Sequence, residues 1–200
     1  MKLALCLLPA AAVPLAAQEG PQPVLAQSER IEAELRADLD ADGIADHAYV
    51  AATDETRELR VVTSATGKSL AQVLKLTPGP LGDAMIKLDG NVLLFQDLNG
   101  GTTAVFSTHR FRWDKKLGAM RLIGLDATFY SRTFAHDGRE ASWNLLTGDL
   151  HTHTMRLRND DSDVAYDEID KRQRRKKSKP VRLEKSPSGD DLLGWPCGRS

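Results

Sequence analysis

Between His47 and Leu157 the chain is cut into short segments by turn residues, and this punctuation limits the fold more than any other feature. The breaks are Asp54-Glu55-Thr56-Arg57, Thr77-Pro78-Gly79-Pro80-Leu81-Gly82, Asp89-Gly90-Asn91, Asp97-Leu98-Asn99-Gly100-Gly101, Asp114 to Gly118, His136-Asp137-Gly138-Arg139 and Thr147-Gly148-Asp149. Gly, Asn, Asp and Pro concentrate there because they supply positive φ, local side-chain hydrogen bonds or a fixed φ. The intervening stretches, such as His47 to Ala52, Leu59 to Thr63, Val92 to Gln96, Thr102 to Trp113 and Leu150 to Leu157, are rich in β-branched and aromatic residues. Turn signals every 8–12 residues or so predict an all-β fold, an antiparallel meander closing as a propeller-like, barrel or sandwich arrangement. Phe111, Trp113, Leu122 and Trp143 are the expected core. No long amphipathic helix stands out.

Ahead of these strands lies Asp38-Leu39-Asp40-Ala41-Asp42-Gly43-Ile44-Ala45-Asp46. Carboxylates at positions 1, 3, 5 and 9 of a curled loop converge, and their mutual repulsion calls for a cation. Hard oxygen ligands at this spacing suit Ca²⁺. Asp38, Asp40, Asp42 and Asp46 are the expected side-chain ligands, Ile44 ligates through its carbonyl, and Gly43 permits the turn. Position 12 is Tyr49 rather than the bidentate glutamate of an EF-hand, which sets the loop apart from that motif. Ser28 to Leu39 is ambiguous: Ile31, Leu35 and Leu39 fit a helix, Ile31, Ala33 and Leu35 a strand. The acidic loop that follows at once favours the strand.

The length of 200 residues fits one domain with tails, and the contents of 41% hydrophobic and 28% charged residues are ordinary for a globular chain. Lys2, the apolar run Leu3 to Val13 and the small residues Leu15-Ala16-Ala17 predict a signal peptide over 1–17. Cys6 follows Leu3-Ala4-Leu5 but stands too early for a lipoprotein box, so a soluble periplasmic or secreted protein is expected. Cleavage after Ala17 leaves Cys197 without a disulfide partner. Residues 18–27 read as an extended arm, 28–158 as the β domain, and 159–200 as a charged, partly disordered tail. The net charge of −1 conceals an asymmetry. Residues 18–170 hold 16 Lys and Arg against 25 Asp and Glu, while residues 171–200 hold 10 against 3.

Other chemistry finds little support. His151 and His153 share one side of a strand without an evident third metal ligand, and His47, His109 and His136 are isolated. No Gly-x-Ser-x-Gly elbow is present, and Cys197 has no nearby histidine. A non-enzymatic protein is therefore expected. The run Lys171 to Lys179 lacks interleaved aromatics for base stacking, and export argues against nucleic acid. Weak contact of this basic tail with anionic surfaces fits better.

The stretch from Asp38 to Val50 resembles the calcium loop of FG-GAP/VCBS-type repeats, with Asp38, Asp40, Asp42, Ile44 and Asp46 at the ligand positions. Ala41 stands where that family often has glycine or asparagine. Asp97-Leu98-Asn99-Gly100-Gly101 looks like an eroded second copy, though a plain turn explains it better. Arg121-Leu122-Ile123-Gly124 and Asn144-Leu145-Leu146-Thr147-Gly148 resemble runs in small exported bacterial proteins, some of them immunity proteins or inhibitors of cell-wall hydrolases. The resemblance implies a Ca²⁺-binding protein whose partner is another protein, a peptidoglycan hydrolase above all. The alternative is a structural or adhesive envelope module of FG-GAP/VCBS type.

Overall fold

The computed structural model describes residues 20–64, 72–160 and 164–194. The expected signal peptide and Cys197 lie outside the described residues. Two antiparallel sheets make up the fold. The first has β1 (Arg30–Ala37), β2 (Asp46–Ala52), β3 (Arg57–Val62) and β4 (Gln72–Lys75) in sequence order. The second runs β5 (Met85–Asp89), β6 (Val92–Gly100), β7 (Thr103–Asp114), β8 (Ala119–Ser131), β9 (Gly138–Asn144), β10 (Asp149–Leu157) and β11 (Tyr166–Arg175), again in order. A short β12 (Val181–Arg182) pairs with Arg121 and Leu122 of β8, ahead of the β8 stretch that β9 takes up from Gly124. The sheets are open meanders, not a closed barrel.

Alternation explains one shared core. Ala48 and Val50 of β2 and Leu59 and Val61 of β3 face Leu93, Phe95, Phe111, Leu122 and Leu125 of the second sheet, all buried in one cluster. Phe111, Leu122 and Trp143 pack there as expected, with Trp113 against the margin. The other face of β2 is also covered. Tyr49 and Ala51 pack with Val62 and Ile31, and the arm at residues 20–27 lies across them. The Tyr49 hydroxyl accepts from Val24 N at 3.0 Å, and Arg60 donates to Val24 O at 2.9 Å. Hence every residue of β2 is buried.

The strand reading of β1 holds, with one irregularity. A bulge between Ile31 and Ala33 shifts the register, so Ile31 opposes Ala51 on the outer face while Ala33 and Leu35 oppose Val50 and Ala48 on the core face. Glu32 is the extra residue. Its carboxylate takes Arg57 Nε and Nη2, both at 2.6 Å, and Ala84 N at 2.7 Å. Arg57 Nη2 also reaches Asp97 Oδ1 at 2.9 Å, and all three side chains are 5% exposed or less. One end of the space between the sheets is thus apolar, and the other is closed by an ionic clamp.

The C-terminal portion departs from expectation. The β domain was expected to end at residue 158, yet the sheet continues into β11, whose second half is the basic run. Main-chain pairing with β10 needs no apolar side chains, and an exposed edge strand carries Lys and Arg without cost. Past β11, Lys176 is anchored: its carbonyl accepts from Trp143 Nε1 at 2.9 Å and its ammonium lies 4.3 Å from that ring's centroid. A five-residue helix, α1 (Gly189–Leu193), then docks on the core face. It fits because Ser107, Ala127 and Ala141 form a cross-strand row of small residues. A Cβ on Gly189 would lie 2.9 Å from Ser107 Cβ and 3.3 Å from Ala127 Cβ. Leu192 is buried there, with Leu193 packed against the same cluster.

Candidate metal centre

The acidic loop curls because its own side chains hold its backbone. Asp38 Oδ1 accepts from Ala41 N at 2.7 Å and Asp42 N at 3.2 Å, and its Oδ2 accepts from Gly43 N at 3.0 Å. Asp40 Oδ1 accepts from Asp42 N at 3.2 Å, and Asp42 Oδ1 from Ile44 N at 2.8 Å. Two left-handed residues complete the turn, Gly43 at φ +89° and Ala41 at φ +63°. The outcome is convergence: one carboxylate oxygen from each of Asp38, Asp40 and Asp42 lies within 4.8 Å of the others. Among the described residues this is the group with such metal-ligand geometry. A carboxylate has about four acceptor sites, so these bonds leave lone pairs on Asp38 and Asp42 for a cation. Ser64 Oγ donates to Asp42 Oδ2 at 2.5 Å, and this bond, followed by that from Ile44 N, holds the Asp42 carboxyl below the usual carboxylate range.

Asp46 does not join that group. It is fully buried, its Oδ2 accepts from Leu39 N at 2.7 Å and Asp40 N at 3.2 Å, and its Oδ1 accepts from Ser64 N at 2.7 Å. Burial pushes its carboxyl above the usual value, opposed by those N–H bonds. Asp46 therefore ties the start of the loop to the end of β3. Ile44 joins the site through the N–H that Asp42 holds.

The left-handed Ala41 explains why glycine or asparagine suits that position. An L-residue there costs roughly 1–2 kcal/mol, partly offset by the greater freedom of glycine in the unfolded chain. Ala41→Gly should raise stability by about 0.5–1 kcal/mol, read as a Tm increase in calorimetry. A lower Tm would mean that Ala41 carries no such strain.

Asp97 and Asn99 are not a second loop. They lie within β6, where Asp97 pairs with Arg57 and Asn99 Nδ2 donates to Asp97 Oδ2 at 2.7 Å. The turn begins only at Gly100, with φ +108°. The histidines also find ordinary places. His47 meets Glu34 at 2.8 Å, His153 lies 3.8 Å from Glu140, and His151 is exposed. His109 is buried, and no sequence signal marked it. No family model, curated protein or solved structure matches the chain.

Proposed function

We propose that this chain is a non-enzymatic, Ca²⁺-binding β protein of the periplasm or the secreted space that binds another protein and inhibits a peptidoglycan hydrolase. The observation that carries the metal is the convergence of Asp38, Asp40 and Asp42 at a loop turned by Gly43. Asp38, Asp40 and Asp42 supply side-chain oxygens, and the Ile44 carbonyl and the Asp46 carboxylate would complete a set of hard ligands suited to Ca²⁺. The ion acts as a staple at the entry to β2, not as a catalyst. An acidic excess over residues 18–170 favours encounter with a basic enzyme, since opposite charge accelerates association.

The test is calorimetric and enzymatic together. In Ca²⁺ at about 100 times the dissociation constant, the wild type gains roughly 2.7 kcal/mol of stability, and Asp38→Ala with Asp42→Ala gains none. Purified muramidases lose activity on adding the Ca²⁺-loaded wild type. Equal melting of wild type and double variant in excess Ca²⁺ removes the metal, and undiminished muramidase activity removes the inhibitor.

The envelope-module reading has one observation in its favour. On β11, Lys171 and Arg175 pair with Glu168 at 2.7 Å and Asp149 at 3.0 Å, whereas Arg172 and Arg174 line a groove with Arg139 and make no ion pair among the described residues. Glu140 and Asp170 share that groove. This edge suits an anionic surface polymer, and retained polymer binding without hydrolase inhibition would select that reading.

A further inference from the structure

A cavity of about 180 Å³ lies between the two sheets at their polar end, closed on one side by the strap Ser186 to Asp191. Its position follows from alternation along β6 and β7. The cross-strand pairs on the core face run Leu93 with Phe111, Phe95 with His109, Asp97 with Ser107, and Asn99 with Val105. The core therefore turns from apolar to polar along one pair of strands.

Each of the polar atoms left over can accept a hydrogen bond. His109, 4% exposed, must donate from Nε2 to the Pro187 carbonyl at 2.9 Å, because a carbonyl can only accept. Burial lowers the imidazole's pKa and keeps it neutral, so Nδ1 carries a lone pair, and that atom has no hydrogen-bond partner among the described residues. Asn99 is oriented the same way. Its Nδ2 is spent on Asp97, which leaves a buried Oδ1 without a partner. The Ser186 hydroxyl, on the strap, is likewise buried and unpaired.

Carboxylates outnumber cations around the cavity. Glu32, Arg57 and Asp97 form a buried set of two carboxylates and one guanidinium, so the clamp beside the cavity keeps an excess negative charge. Asp190 adds a third carboxylate, from the strap, while Asp191 is spent capping α1 with Ser188. Lys75 is the lining cation, and its side chain belongs to an exposed residue. Leu74, Leu76 and Phe95 supply an apolar wall.

We propose that this cavity is a binding site for a small organic cation, a primary ammonium on a short apolar body. The ammonium N–H groups meet His109 Nδ1, Asn99 Oδ1 and the Asp190 carboxylate, and the body lies against Leu74 and Phe95. An ammonium has three donors and no acceptor, which matches the unpaired lone pairs of His109 Nδ1 and Asn99 Oδ1 and the Asp190 carboxylate. This site is separate from the acidic loop and does not depend on Ca²⁺.

The probe is n-butylammonium chloride, titrated into the ¹⁵N-labelled full chain, with 1-butanol and matched sodium chloride as controls. Saturable shifts are expected at the Asn99 side-chain amide and at the backbone amides of Ser186, Ser188 and Gly189. Butanol should bind at least about tenfold more weakly, since it lacks the charge-assisted bonds. Asp190→Asn keeps the shape of the strap and should weaken butylammonium about tenfold while its unligated spectrum stays that of the wild type. Non-saturating shifts, equal binding of butanol, or an unchanged affinity in Asp190→Asn would each overturn the proposal and leave a cavity that holds only water.

Discussion

Arg57→Met should lose about 3–5 kcal/mol of stability at neutral pH, a Tm lowered by roughly 6–20 °C for a chain of this size. The cost is not the loss of two ion pairs as such. Removing the guanidinium strands the Glu32 and Asp97 carboxylates, whose side chains are 2% and 5% exposed, in a medium that solvates charge poorly. The pH dependence separates this cause from lost packing. Burial by itself would raise the Glu32 pKa, but Arg57 and the Ala84 N–H more than offset this and hold it below the usual value in the wild type. Its contribution is therefore present above the unfolded carboxylate pKa and is lost as pH falls through the lower folded value. In Arg57→Met the stranded Glu32 carboxylate binds a proton more readily folded than unfolded, so the variant gains stability as pH falls toward 5. Chemical denaturation across that range checks it. A deficit that stays constant with pH would mean that Arg57 acts through its packing. Replacing Glu32, Arg57 and Asp97 together by apolar residues of similar volume should restore most of the loss.

Asp46→Ala should lose about 2–4 kcal/mol even in excess chelator. Three backbone N–H groups, those of Leu39, Asp40 and Ser64, end on this one carboxylate. Alanine leaves the two on the loop buried without an acceptor, and the tie between the loop and the end of β3 is gone. A residue whose whole role is to ligate an ion behaves differently: its alanine variant would match the wild type in chelator and differ only when Ca²⁺ is added. Thermal melts in both conditions distinguish the two. Asp38→Ala offers the contrast, because its bonds to Ala41, Asp42 and Gly43 lie on the exposed side of the loop, where water replaces them.

These two side chains also mark where local reading stops. Asp46 sits at the last carboxylate position of a calcium-type loop, and nothing in its spacing distinguishes an ion ligand from a buried acceptor for three N–H groups. That role depends on Ser64, which arrives from the far end of β3. Asp97 is a sharper case. With Leu98, Asn99 and two glycines it reads as a turn, yet β6 runs through it to Gly100 because its carboxylate meets Arg57 across the core. Ile31, Ala33 and Leu35 share a period of two, yet the bulge at Glu32 sends Ile31 to the opposite face. The basic run carries no apolar alternation, and its place as β11 comes from pairing with β10 at the sheet edge.

The sequence by itself determined the all-β class, the antiparallel succession of short strands and the acidic loop in which Asp38, Asp40 and Asp42 converge. Those features follow from local chemistry: side-chain period, turn residues and carboxylate spacing act over a few residues. Only the tertiary structure decided that the meander splits into two open sheets around one core and that its polar end is clamped by Glu32, Arg57 and Asp97. It also decided that a helix seated on Ser107 and Ala127 closes a cavity beside His109. Each of these joins groups from 20 to about 80 residues apart, through burial and complementary charge that no short stretch of the chain contains.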